Sequence, residues 1–193
     1  MLNNTKPKIS IETTTELSAL DIVELCDATE EAIYAGGGFG WLNSPQRSIL
    51  ENYWKGVLLI PDRILILAKI DNVIAGSCQI VRPQKNNEAQ AFACQLTTFF
   101  LAPWARGYGL AQLLVAEAED FAKSEGYKII NLDVRSTQDR AINAFKARGF
   151  RRFGKNPYYA IVNDNFVPGV YFTKILQDIK KWILKNKKED NND

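Results

Sequence analysis

Between residues 91 and 150 the chain reads strand, glycine turn, helix, strand, helix, and this order constrains the fold more than any other feature. The run AFACQLTTFFL passes into PWARGYGLA, where Gly107 and Gly109 stand one residue apart beside Arg106. A strand that enters a helix through glycines leaves the first amides of that helix without carbonyl partners, pointing outward with the positive end of the helix dipole behind them. Gly107 and Gly109 would let the backbone approach an anion without Cβ obstruction, and Arg106 could add charge or brace the loop. On these residues alone, a phosphate cradle and a ligand-free βα turn are equally good readings. A dinucleotide fingerprint fits poorly, because Gln112 stands where the third glycine of GxGxxG belongs.

The rest of the chain supplies a mixed α/β order. ISIETTT alternates like a strand, with Ile9 and Ile11 on one face. LSALDIVELCDATEEAIYA has helical spacing and stops at Gly36, Gly37 and Gly38; GGGFG follows a helix and lacks the Lys-Ser/Thr of a P-loop, so it reads as helix termination plus a mobile hinge. NSPQRSILENYWKGVLL predicts a helix with Ser44 as N-cap, Pro45 at the first position, and Ile49, Tyr53 and Trp54 on one face. RILILAKI and VIAGSCQIV form a hairpin around Asp71-Asn72. After the glycine turn, Leu110, Leu113, Leu114, Ala118 and Phe121 make a stripe that Gly126 ends. KIINLDV puts Ile130, Leu132 and Val134 on one strand face and Asp133 on the other. In STQDRAINAFKARGF, Ser136 with Asp139 resembles a capping box and Gly149 sits at C′. YYAIV and VPGVYFTKI are strands around NDN, and the lysine-rich end places Ile175, Leu176, Ile179, Trp182 and Ile183 on one stripe.

Composition narrows the chemistry. With 193 residues, 46% hydrophobic and 24% charged, the chain is sized for one domain, and a net charge of +2 without a sustained basic field argues against a nucleic-acid partner. No apolar stretch is long enough to span a bilayer and no leader pattern opens the chain, so the expectation is a cytoplasmic protein without stable membrane association. Cys26, Cys78 and Cys94 are far apart, lack CxxC spacing, and have no histidine to join them, so they are expected as reduced core thiols rather than metal ligands. The absence of histidine also excludes Ser/His and Cys/His nucleophilic catalysis.

Two segments resemble the GNAT family of N-acetyltransferases. LAPWARGYGLAQLL is similar to its cofactor motif Arg/Gln-x-x-Gly-x-Gly/Ala, with Arg106, Gly109 and Ala111 at the key positions, and LDVRSTQDRAINAFKARGF is similar to the family's LxVxxxNxxAxxLYxxxGF. The resemblance covers roughly residues 91 to 174 in order. It implies an α/β fold of the GNAT-type acyl-CoA N-acyltransferase class: a central mixed, mostly antiparallel sheet with splayed parallel strands 4 and 5, flanked by helices. It further implies an acyltransferase that moves an acetyl group from acetyl-CoA to a primary amine in a ternary complex, with no metal. The cofactor would lie along Phe99, Phe100 and Leu101, its pyrophosphate on the amides of Gly107, Tyr108, Gly109, Leu110, Ala111 and Gln112, with Gln138 and Phe145 as further contacts. The organisation expected is a disordered N-terminal arm (1–8), one domain (9–176, made of an acceptor-side portion 9–90, an acetyl-CoA core 91–154 and a hairpin 155–176), and a C-terminal helix and charged tail (177–193). A homodimer through the C-terminal strands is possible within this family.

Catalytic groups are sparser. Asp133 matches the proposed base of the ribosomal-protein acetyltransferases in this family; as a plain strand residue it would be a solvated or ion-paired carboxylate. The family's usual proton donor is a tyrosine, and its position here holds Phe145, while the family's asparagine is Gln138. Tyr158 or Tyr159 could donate the proton instead, or could simply pack. Trp41, Trp54 and Trp104 could wall an acceptor pocket with Phe39 or fill the core, and Glu30, Glu31 and Glu51 could attract a cation or form a solvated face. A non-catalytic acyl-CoA-binding module and a nucleotide-phosphate binder are the rival classes.

Overall fold

The computed structural model describes residues 6–37 and 39–177. The helix expected at the C-terminal end lies, apart from Gln177, outside the described residues, as do residues 1–5; Lys8 is tied by its backbone to Asp71 (2.8 Å).

A seven-stranded sheet runs in the order β1-β2-β3-β4-β5-β7-β6, with β1 (Ile9–Thr14), β2 (Arg63–Ile70), β3 (Val73–Val81), β4 (Ala93–Leu101), β5 (Ile129–Arg135), β6 (Arg151–Val162) and β7 (Asn165–Ile175). Every neighbouring pair is antiparallel except β4 and β5, as expected. Helices α1 (Ala19–Tyr34) and α2 (Arg47–Val57) cover one face and α3 (Leu110–Ser124) and α4 (Asp139–Ala147) the other. This double cover explains why RILILAKI is a continuous apolar run: Leu65 and Leu67 pack under α1 and α2 while Ile66 and Ala68 pack under α3. Asp71 and Asn72 both take left-handed φ (49° and 67°) in the two-residue turn between β2 and β3. All three cysteines are buried and unbridged, and burial pushes the Cys26 thiol up to about 11 and Cys94 to about 12.

Several local expectations change in the tertiary setting. α1 begins in a capping box that sequence reading passed over: Ser18 and Asp21 exchange backbone-to-side-chain hydrogen bonds of 2.9 and 3.1 Å. α2 starts at Arg47 with Gln46 as N-cap, two residues beyond the predicted Ser44, and it buries Leu50, Trp54 and Val57 while Ile49 faces outward. Its rotation is fixed by the Trp54 indole, which donates to the Thr29 hydroxyl (3.1 Å) in the α1 core. On α3 Leu113 is exposed, and the buried stripe runs through Leu110, Leu114, Val115, Ala118, Glu119 and Ala122. Glu119 is neutralised there by Arg148 (2.7 Å) and Lys174 (2.6 Å). The capping box expected of Ser136 does not form: the Ser136 amide donates to Pro168 of β7 (2.7 Å), which keeps that residue extended, and Gln138 becomes the N-cap of α4.

Candidate active site

The site originates in a failure of pairing. β4 and β5 pair over Ala93–Gln95 and Ile129–Asn131 only, and the strands then diverge. An extra residue in β4 promotes the divergence: the register with β3 slips between Ser77 and Gln79, opposite Thr98, whose φ is +50°. A β-branched residue in the left-handed region is strained by roughly 1–3 kcal/mol, and such strain persists only where surrounding structure imposes it.

Two cavities flank the opening. One, of about 540 Å³, lies between Phe99, Phe100 and Leu101, the glycine turn, the start of α4 and the carbonyl end of α1. The other, of about 720 Å³, is lined by Asp133, Tyr159, Thr97 and the aromatic rings of residues 39–53. Phe99, Gln138 and Ala141 line both, so the cavities meet at the splayed strands.

The first cavity has the character of an anion site. Gly107 and Gly109 take φ of +92° and +79°, and a Cβ on either would meet nothing within 4 Å, so the turn is an open cradle that glycine alone adopts without strain. The amides of Gly107, Tyr108, Gly109, Leu110 and Ala111 find no acceptor among the described residues, whereas Gln112 spends its amide on Gly109 (3.1 Å) and its side chain on the Ala144 carbonyl (3.4 Å). Arg106 and Arg140 both line this cavity; burial and then the Arg140 charge lower the Arg106 guanidinium from its ordinary value, a repulsion that a bound anion would relieve. Of the residues anticipated for the cofactor, Phe99, Phe100, Leu101, Arg106, Gly107, Gly109, Leu110, Ala111 and Gln138 line this cavity. Tyr108 stands exposed beside it, and Phe145 lies on the other side, buried between Phe99 (5.0 Å between ring centroids) and Phe150 (5.8 Å).

In the second cavity Asp133 is held at both oxygens: Gln95 donates to Oδ1 (3.0 Å) and the Tyr159 hydroxyl donates to Oδ2. The β6 bulge makes the second contact possible. Between Asn156 and Ala160 the ladder with β7 skips from Gly169 to Val167, where Pro157 and Pro168 have no amide hydrogen to contribute, and Tyr159 lies across Gly169. Burial, then the hydrogen bond to Asp133, pushes the Tyr159 phenol well above its ordinary range. Tyr158, 71% exposed, turns away from both cavities and meets Phe166 edge-on. Trp41 and Phe39 line the cavity; Trp54 is core and Trp104 is exposed. Glu30 pairs with Arg47 and Glu51 with Lys55, outside both cavities.

Gly36 and Gly37 end α1 as expected, but the carbonyls of Gly36, Gly37 and Phe39 are tied down. Arg135 donates to Gly37 (2.5 Å) and Phe39 (3.3 Å), and Gln138 donates to Gly36 (2.6 Å). Arg135, Arg140, Gln95 and Tyr53 were not anticipated. Arg135 had one available signal, since it shares a strand face with Asp133 two residues away.

Residues 25–150 match the sequence model of the Acetyltransferase (GNAT) family. The chain belongs to the GNAT acetyltransferase family. It is 52% identical, over 68% of its length and 79% of the relative's, to an uncharacterized N-acetyltransferase in the hisH-hisA intergenic region of Azospirillum brasilense. Among solved structures it is similar to yncA of Salmonella typhimurium with its cofactor acetyl-CoA (TM-score 0.71, 12% identity, 88% of this chain and 95% of that one). It is also similar to a GNAT superfamily phosphinothricin acetyltransferase of Sinorhizobium meliloti in complex with acetyl-CoA (TM-score 0.70, 14% identity, 89% of each chain). This GNAT protein is an acetyl-CoA-dependent acyltransferase with the family's splayed sheet. No helix among its described residues is long and apolar enough to cross a membrane.

Proposed function

We propose that this GNAT protein transfers an acetyl group from acetyl-CoA to a primary amine by direct attack in a ternary complex. The observation that carries the reading is the meeting of the two cavities at Phe99, Gln138 and Ala141, with unpaired amides on one side and a doubly hydrogen-bonded carboxylate on the other. The first cavity suits the diphosphate carrier: Gly107 to Ala111 offer main-chain donors, Arg106 and Arg140 offer charge, and the unpaired edge of β4 beyond Gln95 offers strand-like pairing to amides. Acetyl-CoA brings a thioester already activated toward amines.

The chain's own task is to manage a proton. An amine enters largely as ammonium, with a pKa near 10.4, and Asp133 attracts it. The attacking species is the neutral amine formed once the ammonium has given one proton to solvent; as its nitrogen bonds to carbon the remaining N–H becomes far more acidic, so Asp133 can take that second proton as attack proceeds. Tyr159, kept protonated by its surroundings and donating to Asp133, can pass its proton to the departing sulfur while regaining one from Asp133. Such a relay carries the proton from amine to thiol without a tyrosine at position 145. Calorimetry with CoA on wild type and Arg106→Ala tests the first cavity, where the variant should bind at least tenfold more weakly; thiol release with Asp133→Asn and Tyr159→Phe tests the relay. Wild-type turnover and pH profile in both relay variants would remove it. The buried Phe145 favours a second reading, a non-catalytic acyl-CoA-binding module, which predicts CoA binding and no thiol release with any amine.

A further inference from the structure

Resting on that reading, we infer that the acceptor is a small amine with one positive charge and a flat apolar body, an arylalkylamine in chemical class, and that Trp41 sets this preference. The second cavity has an aromatic wall whose rings are fixed before any ligand arrives. Trp41 meets Tyr53 edge-on (5.2 Å, 81°) and stacks near Phe39 (6.2 Å, 25°), while Phe39 rests on Phe100 (4.8 Å). The Tyr53 hydroxyl accepts from Gln79 (3.1 Å), which in turn accepts from Arg63 (2.7 Å), so the phenol is anchored from behind the cavity. The carbonyl of Phe39 is held by Arg135. Rings fixed in this way offer face and edge contact to another ring at little entropic cost.

Charge argues in the same direction. Asp133 is the one acidic residue and Arg135 the one basic residue on the described lining of this cavity, and the Arg135 Nη2 already serves two carbonyls. A polyamine needs several carboxylates, which this wall lacks, and an amino-acid acceptor would have to draw its carboxylate to Arg135, whose Nη2 is already committed to two loop carbonyls. One ammonium on Asp133 and a ring against Trp41 match the single carboxylate and the aromatic wall that the cavity presents.

The test compares kcat/KM, by thiol release, for 2-phenylethylamine and tryptamine against spermidine, glutamate and a lysine-containing tetrapeptide, with acetyl-CoA binding followed separately by calorimetry. The aromatic amines should exceed the others at least tenfold. Trp41→Ala should raise the phenylethylamine KM at least tenfold with unchanged CoA affinity, and Trp41→Phe should restore most of it. Leu42→Glu, at an exposed position on the same lining, keeps the test independent of Trp41 folding: a second carboxylate should shift preference toward spermidine at least fivefold. Spermidine, glutamate or the peptide matching the aromatic amines, or an unchanged ratio in Leu42→Glu, overturns the inference. Heat of CoA binding with no turnover of either aromatic amine overturns it while leaving the cofactor site standing; absence of CoA heat overturns the functional reading beneath it.

Discussion

Replacing Gly169 by alanine probes the site's most specific contact through a residue that touches no substrate. An added Cβ would overlap Cγ and Cδ2 of the Tyr159 ring and lie 2.7 Å from its Cβ, where ordinary contact begins at 3.4 Å. The backbone at Gly169 cannot give way, because it pairs with Arg135 of β5 on one side and Asn156 of β6 on the other. Tyr159 must therefore move. Its root retreats from 2.7 to at least 3.4 Å and the ring swings further, which carries the hydroxyl off Asp133. Overpacking of this kind costs about 1–3 kcal/mol, and at this chain length each kcal/mol lowers Tm by about 2–4 °C. Thiol release should fall to the level of Tyr159→Phe, while the calorimetric affinity for CoA stays at wild type. The double variant is the sharper measurement: once the hydroxyl is gone, Gly169→Ala should lower Tm further but cost no more activity. Wild-type turnover in Gly169→Ala, or activity losses that simply multiply in the double variant, would refute the claim that Tyr159 acts through its bond to Asp133.

Three further outcomes concern the scaffold. Glu119→Ala strands the Arg148 and Lys174 charges; because both cations reach solvent in part, the loss should be roughly 2–4 kcal/mol in urea unfolding, a little under the usual figure for a broken buried pair. Ser77→Ala deletes a buried hydroxyl without a partner and should leave stability unchanged or raise it by up to about 1 kcal/mol, whereas a loss above that would mean the hydroxyl is bonded in solution. Burial alone would raise the Asp21 carboxyl, but hydrogen bonds from the Ser18 side chain and amide, with Lys69, hold it below its ordinary value. Its contribution is thus complete above about pH 4 and lost as pH falls through the folded value. Ser18→Ala should cost about 1 kcal/mol at pH 7, with a difference from wild type that shrinks below about pH 4; a constant difference would contradict the assignment.

The element order was legible in the sequence, and so was the glycine turn ahead of α3. Periodicity is a local property: period-two runs such as KIINLDV and glycines at forced left-handed positions such as 107, 109 and 149 specify themselves within a few residues. Rotation about helix axes was less legible. Ile49 and Leu50 are equally apolar neighbours, and only the Trp54 indole finding Thr29 decides which turns inward. Caps failed for the same reason: Ser44 and Ser136 are good capping residues, but neighbouring chain placed them two residues too early.

What the sequence determined alone is the class of chemistry. Without histidine the chain is left with carboxylates, tyrosines, backbone groups or a cofactor, and the resemblance of its glycine turn and following helix to the GNAT motifs is what narrows these to acyl transfer from acetyl-CoA. What the tertiary structure alone decided is which carboxylate has partners and what faces it. Asp133 meets Gln95 from β4 and Tyr159 from β6, residues 38 and 26 positions away. The aromatic wall is likewise assembled from a loop and a helix that no spacing rule connects to β5. Long-range pairing depends on bulges at Thr98 and beside Pro157, and a bulge is a compromise between two strands, so neither strand's sequence contains it.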